Sequence, residues 1–536
     1  MLGMSAKPRF NVIIRNGMVY DGSGQAPFKK DIGIQDDRIS VLDNLAEASA
    51  DVVIDAEGMA VSPGFIDIHS HTDVELLINP KGESKIRQGV TTDVSGNCGS
   101  SPFPMIKEDA LRRMKELNEH YGIKAQWDDA AGFLHALEEN KIALNYATFT
   151  GHGDLRSVGV GKNDVKPTPD QMKSMKKLLD ESMEAGSLGL STGLEYAPGS
   201  YADTEELIEL CRVVATRHGI YATHMRSEDI RLEEAVEEAI RICREADVST
   251  EISHLKTCYP EHWHKADKVL TMISDAVQSG LPVLADRYPY IAYGTGLSAF
   301  IPLWARQGER NEIVNRLKND STYAEIKKHL LYKEKQIGGW KNLVISSCHL
   351  DKNKIWEGQS IQDGAEFYKI SGDEFIRNML IEEEIRTDIV GFAMSEDNLQ
   401  KILAHPLVMV GSDGTVAAPY GSLSRGKPHP RYYGTFPRVL GRYVREIPIM
   451  KLETAITKMT AMPADKLGLK QRGRILPGYY ADLVIFNPGT VIDQATFVNP
   501  HQYPIGIRDV LVNGTPAILN GDHTGSMTGR ILRSSS

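Results

Sequence analysis

From residue 64 to residue 412 the chain repeats one unit: a short apolar run, a few polar or glycine-rich residues, then a helical pattern. The runs are 64–71, 90–97, 145–151, 187–194, 219–224, 248–254, 281–287 and 406–412. Several are nearly continuous in Val, Ile and Leu, as are strands covered on both faces. Leu232–Ala246, rich in Ala, Glu and Arg, typifies the helices between them. Strands alternating with helices run parallel, because each connection crosses back over the sheet face. Eight such units predict an α/β fold of the (β/α)8 TIM-barrel kind. An open doubly wound sheet is the alternative, and the lack of a Gly-x-Gly-x-x-Gly after any run weighs against it.

The flanks follow a different period. Residues 11–15, 18–20, 31–35, 38–42 and 51–56 alternate polar and apolar, as do 474–475, 482–487 and 508–513. These segments read as antiparallel strands, and two short sets at opposite ends cannot each bury a face alone. Residues 1–62 and 466–536 are therefore expected to form one small β-sandwich domain, with residues 63–465 as the catalytic barrel. The interval 291–405, between runs seven and eight, is too long for a crossover and has helical patterns at 312–318, 323–333 and 373–384. It reads as an insertion near the active site, a common position for lids.

Metal-capable residues gather where the runs end, the face on which barrels carry their chemistry. Run one ends in His69-Ser70-His71, run two in Asn97-Cys98-Gly99, run five in His224, run six in His254 and run eight in Ser412-Asp413-Gly414. Strand alternation would put His69 and His71 on one side. Singly, each residue has a plain structural reading: a packed histidine, an apolar cysteine, an Asp-Gly turn. Six together at five of eight strand ends point to a shared metal site. Another His-x-His, His262-Trp263-His264, follows Pro260 and reads as surface. There is no His-Glu-x-x-His, so a zincin protease is not supported, and there is no P-loop.

The net charge of −10 argues against a nucleic-acid surface, which needs a basic stripe. Five scattered cysteines show no disulfide framework and residues 1–10 hold no apolar leader, so a cytoplasmic setting is expected. No run approaches the ~18 apolar residues of a membrane span, so no membrane partner is expected.

Phe65-Ile66-Asp67-Ile68-His69-Ser70-His71-Thr72-Asp73 resembles the strand-one signature of the amidohydrolase superfamily. Further segments are Gly96-Asn97-Cys98-Gly99, Ser191-Thr192-Gly193-Leu194-Glu195-Tyr196, Thr223-His224-Met225-Arg226, Ser253-His254-Leu255-Lys256 and Gly411-Ser412-Asp413-Gly414. With these, and with Gly434-Thr435-Phe436-Pro437-Arg438, nearly the whole chain resembles the N-acyl-D-amino-acid deacylase (D-aminoacylase) family. The His-x-His and Gly-Ser-Asp set marks only the superfamily; the run-two cysteine and Gly-Thr-Phe-Pro-Arg are more specific.

The resemblance implies zinc-dependent hydrolysis of the amide bond of N-acyl-amino acids of D configuration. It implies one tightly held zinc on Cys98, His224 and His254, and a second, weaker metal site on His69, His71 and the shared cysteine. It makes Asp413 the general base. Relatives such as hydantoinases bridge two metals with a carboxylated strand-four lysine, whereas 187–196 contains no lysine and Glu195 is its only carboxylate. By the same correspondence Arg431 binds the substrate carboxylate, Tyr196 and Tyr288 line the pocket, and the cation of Lys256 hints at an acidic or polar substrate side chain. Where the family often has a serine this chain has Gly294, with Thr295 next, so carboxylate recognition is expected to be rearranged.

The chemistry of the residues agrees. A thiolate and two neutral imidazoles make a three-ligand zinc site with one open position. Two other functions stand beside this one. A cyclic-amide hydrolase of the hydantoinase or dihydroorotase kind would share the fold and reaction. A non-catalytic oligomeric scaffold would have lost metal ligands, and none of the six is missing. The oligomeric state is left open.

Overall fold

Eight parallel strands appear in the expected order in the computed structural model, which describes residues 9–533. Residues 1–8 and 534–536, the ends of the expected β-domain, lie outside the described residues. The strands are Phe65–Asp67, Val90–Ser95, Asn145–Thr148 with Thr150–Gly151, Gly189–Gly193, Ile220–His224, Ser249–Ile252, Val283–Arg287 and Val408–Val410. The third is interrupted at Phe149: its first piece pairs with the second strand and its second piece with the fourth. Strands one and eight meet just past their ends, where the Asp413 N–H donates to the His69 carbonyl and the His71 N–H to that of Gly414, both at 2.8 Å. These bonds close the ring. The regular part of strand one stops at Asp67, so the bend after it, not strand alternation, places His69 and His71.

The helices cover the ring for the usual reason. Leu232–Ala246 buries Leu232, Val236, Ala239, Ile240 and Cys243, spaced by three and four, against Ile252 and Val283. Each such Leu or Ile contributes roughly 1.5–3 kcal/mol. Ile66, Ile68, Val94, Phe149, Ile220 and Met409 belong to one buried cluster contributed by strands around the ring.

Between strands seven and eight lie the anticipated helices, Arg310–Lys318, Asp320–Ile337 and Gly372–Glu382. They accompany an unforeseen antiparallel sheet in which Asp388–Phe392 runs between Ala292–Gly296 and Leu343–Ser347. Near the N-terminus, Arg38–Asp43, Asp31–Gln35, Arg9–Arg15 and Ser49–Asp55 form one sheet. A second sheet pairs Ala60–Pro63 antiparallel with Leu483–Phe486. Arg474 and Ile475, expected in a strand, lie in irregular chain, with Arg474 at a bend and paired to Asp465 at 2.6 Å. The surface reading of His262 is also corrected. It is buried, in a 3-10 turn whose Trp263 indole donates to the Ala393 carbonyl at 3.0 Å. No helix among the described residues is long and apolar enough to cross a membrane.

Candidate metal centre

Above the strand ends the side chains converge. Cys98 Sγ lies 3.4 Å from His69 Nε2 and 3.3 Å from His254 Nε2, and His224 Nδ1 lies 2.9 Å from His254 Nε2. Asp413 Oδ1 is 2.9 Å from His71 Nε2 and 3.6 Å from His69 Nε2. Donor atoms sharing a tetrahedral zinc, at bonds of about 2.0–2.3 Å, stand roughly 3.3–3.8 Å apart. The thiol–imidazole pairs match that spacing and the His224–His254 pair, at 2.9 Å, is shorter than it by a few tenths of an ångström, so a small separation of the two rings fits the donor set to zinc. His254 belongs to two groups of potential ligands, one with His69, Cys98 and Asp413, the other with His224 and Glu228.

The backbone is strained where these side chains leave it. Cys98, His254 and Asp413 have φ of 51°, 37° and 50°, the left-handed region, where a non-glycine residue costs on the order of 1–3 kcal/mol. The Cys98 turn also needs close backbone approach. A Cβ on Gly99 would stand 2.5 Å from Gly193 N, and one on Gly193 2.1 Å from the Cys98 carbonyl oxygen. Burial alone would raise the Cys98 thiol, but the His254 and His69 imidazoles outweigh it and hold the thiol well below its usual range.

Each of three imidazoles has a carboxylate near its other nitrogen. His69 Nδ1 is 3.1 Å from Asp286 Oδ2, His254 Nδ1 3.0 Å from Glu228 Oε1, and His224 Nε2 3.6 Å from Glu195 Oε2. Sequence reading missed Asp286 and Glu228. A signal existed for Asp286, a buried acid near the end of strand seven, but none for Glu228, which sits in a loop four residues past His224.

The Lys256 ammonium bonds to Glu228 and stands 2.7 Å from His254 Nδ1. Strand six ends at Ile252, so a turn rather than strand parity brings Lys256 there. Glu228 thus supplies a counter-charge to the Lys256 ammonium. Arg431 Nη1 is 2.8 Å from Asp413 Oδ2, and its guanidinium lies 4.8 Å from the Tyr288 ring centre. The Arg431 Nε and the Tyr288 hydroxyl are buried without a hydrogen-bond partner in the protein. Gly294 passes beside the guanidinium, where a Cβ would meet Nη2 at 3.4 Å. The Tyr196 hydroxyl is 3.2 Å from Thr295 Oγ1, and its ring centre 4.8 Å from that of His224. All the residues expected at the site are thus linked in one contact network.

The chain belongs to the Amidohydrolase family, whose model matches residues 52–301 and 361–518. Its place there is with the N-acyl-D-amino-acid deacylases. It is 35% identical to the D-aminoacylase of Alcaligenes xylosoxydans xylosoxydans over 99% of both chains. The N-acyl-D-glutamate deacylase of Bordetella bronchiseptica, solved with zinc and a phosphonate mimic of the tetrahedral intermediate, is similar with a TM-score of 0.82 at 32% identity, covering 98% of this chain and 100% of that one. A solved D-aminoacylase, described as having a binuclear metal centre with one-metal activation and second-metal attenuation, also gives 0.82, at 34% identity over 98% and 100% of the two chains.

Proposed function

We propose that the chain hydrolyses the amide bond of N-acyl-D-amino acids in a zinc-dependent reaction, releasing a carboxylate and a free amino acid. The observation that carries this reading is the meeting of Cys98, His224 and His254 at their donor atoms, with Asp413 beside them and paired to Arg431. Cys98, His224 and His254 would hold the tight zinc, and His69 and His71 with the shared cysteine a weaker one. Bound zinc supplies Lewis acidity to the scissile carbonyl and makes water more acidic. Asp413 takes the proton of the attacking water and returns it to the leaving nitrogen, since an amine leaves poorly unless protonated. Arg431, with its unpartnered Nε, takes the substrate carboxylate, and a guanidinium can do so through two parallel bonds. Tyr288 packs against it, while Tyr196 and Thr295 close the wall near His224. Lys256, held by Glu228, faces the substrate side chain.

The same reading takes residues 63–465, with the insertion at 291–405, as the catalytic barrel and residues 1–62 plus 466–536 as the β-domain. It places the chain in the cytoplasm, in keeping with five free thiols.

A substrate panel tests the reading: N-acetyl-D- and N-acetyl-L-amino acids, followed by free amine, beside 5-substituted hydantoins, followed by the ring-opened product. Turnover of the D-acyl compounds is expected. Turnover of hydantoins alone would establish the cyclic-amide alternative, and turnover of nothing, with zinc supplied, would favour the scaffold.

A further inference from the structure

We propose that Glu228 is a positioning residue of the zinc site, fixing the tautomer and orientation of His254 while anchoring Lys256. The inference rests on the zinc reading above. His254 Nε2 faces both Cys98 Sγ and His224 Nδ1, so it is the nitrogen turned to the donor cluster. A neutral imidazole that ligates through Nε2 must carry its proton on Nδ1. Glu228 Oε1, 3.0 Å away, is the acceptor for that proton. The other close neighbour of Nδ1, the Lys256 ammonium at 2.7 Å, is itself a donor and also points to Glu228. Two donors therefore converge on one buried carboxylate.

The loop that carries Glu228 is clamped from both sides. Its own N–H donates to Glu195 Oε1 at 3.3 Å, and its carbonyl accepts the Cys258 N–H at 2.8 Å. Glu195 in turn faces His224 Nε2. The loops after strands four, five and six thus form one network that sets the rings of His224 and His254 together. Carboxylates behind metal-binding histidines commonly change metal affinity 10–100-fold when removed, by about that order.

Zinc affinity of the full-length protein, measured by competition with a chromogenic chelator, tests this. Glu228→Gln keeps the shape but loses the charge, and should weaken the first zinc equivalent by at least about tenfold. Because that variant leaves the buried Lys256 ammonium uncompensated and could unfold, Glu228→Gln with Lys256→Met is measured beside it, and should show the same weakening in a stably folded protein. Lys256→Met alone keeps the acceptor for His254 Nδ1 and should bind zinc more tightly than either Glu228 variant. Wild-type zinc affinity in a folded Glu228→Gln or double variant would overturn the proposal. A wild-type protein that binds no zinc would instead overturn the zinc reading beneath it.

Discussion

Arg431 Nη1 stands 2.8 Å from Asp413 Oδ2, so the group assigned to the substrate carboxylate and the group assigned to the proton share a charge contact. Burial would raise the Asp413 carboxyl, but the Arg431 guanidinium and His254 outweigh it and hold it well below the usual carboxylate range. Arg431→Met removes the larger of these opposing charges, so the Asp413 pKa rises and the protonated, inactive form persists to higher pH. The acid limb of kcat/KM should move upward in pH. Loss of the carboxylate contact should also cost roughly 2–5 kcal/mol, about 30-fold to about 5,000-fold in kcat/KM. Rate profiles against pH with an N-acetyl-D-amino acid check both. An unmoved acid limb would contradict the coupling.

Cys98 should be the one cysteine that reacts readily in metal-free protein. Its thiol is held low and is partly exposed, whereas burial pushes the thiols of Cys211, Cys243 and Cys258 up and that of Cys348 to about 12. Peptide mapping after brief iodoacetamide treatment at neutral pH should find label on Cys98, and zinc should protect it. Preferential labelling elsewhere would count against the ligand assignment.

Asp413→Asn separates chemistry from folding. Position 413 has φ of 50°, which asparagine tolerates as well as aspartate does. The variant should fold and bind zinc yet lose turnover by roughly 10²–10⁴-fold. Melting temperature, zinc content and rate read the three separately.

Lys85 provides a test of stability. Its buried ammonium reaches Asp67 Oδ2 at 2.6 Å, Ser412 Oγ at 2.9 Å, Ser70 Oγ at 3.0 Å and Asp93 Oδ1 at 3.3 Å, tying together the segments after strands one and eight. Lys85→Met leaves two buried carboxylates without their cation, which should cost about 3–5 kcal/mol in denaturant unfolding. A loss of only a few tenths would mean the cluster relaxes or admits water.

The ring of strands was legible because its apolar runs alternate with helices, and the metal-capable residues because they sit where the runs end. How they meet was not. Cys98, His254 and Asp413 stand beyond the strand ends in left-handed turns, so the alternation that relates neighbours within a strand does not aim them. Glu228 has no local signature. Its neighbour Asp229 is the same kind of residue in the same loop, yet pairs with Lys333 at 3.4 Å. The difference arises from what each faces: Glu228 the turn after strand six, Asp229 the helix Asp320–Ile337. Ala292–Gly296 was hidden for another reason: two of its five residues are glycine, a poor strand former, and its pairing with Asp388–Phe392 makes it a strand.

Zinc titration of metal-free protein, with hydrolysis of an N-acetyl-D-amino acid recorded at each addition, tests the central claim most directly. Activity should rise from near zero in proportion to zinc and reach its plateau at one equivalent, while protein with Cys98→Ala should stay inactive over the same range. Full hydrolysis by rigorously zinc-free protein, or an active Cys98→Ala variant, would contradict the account.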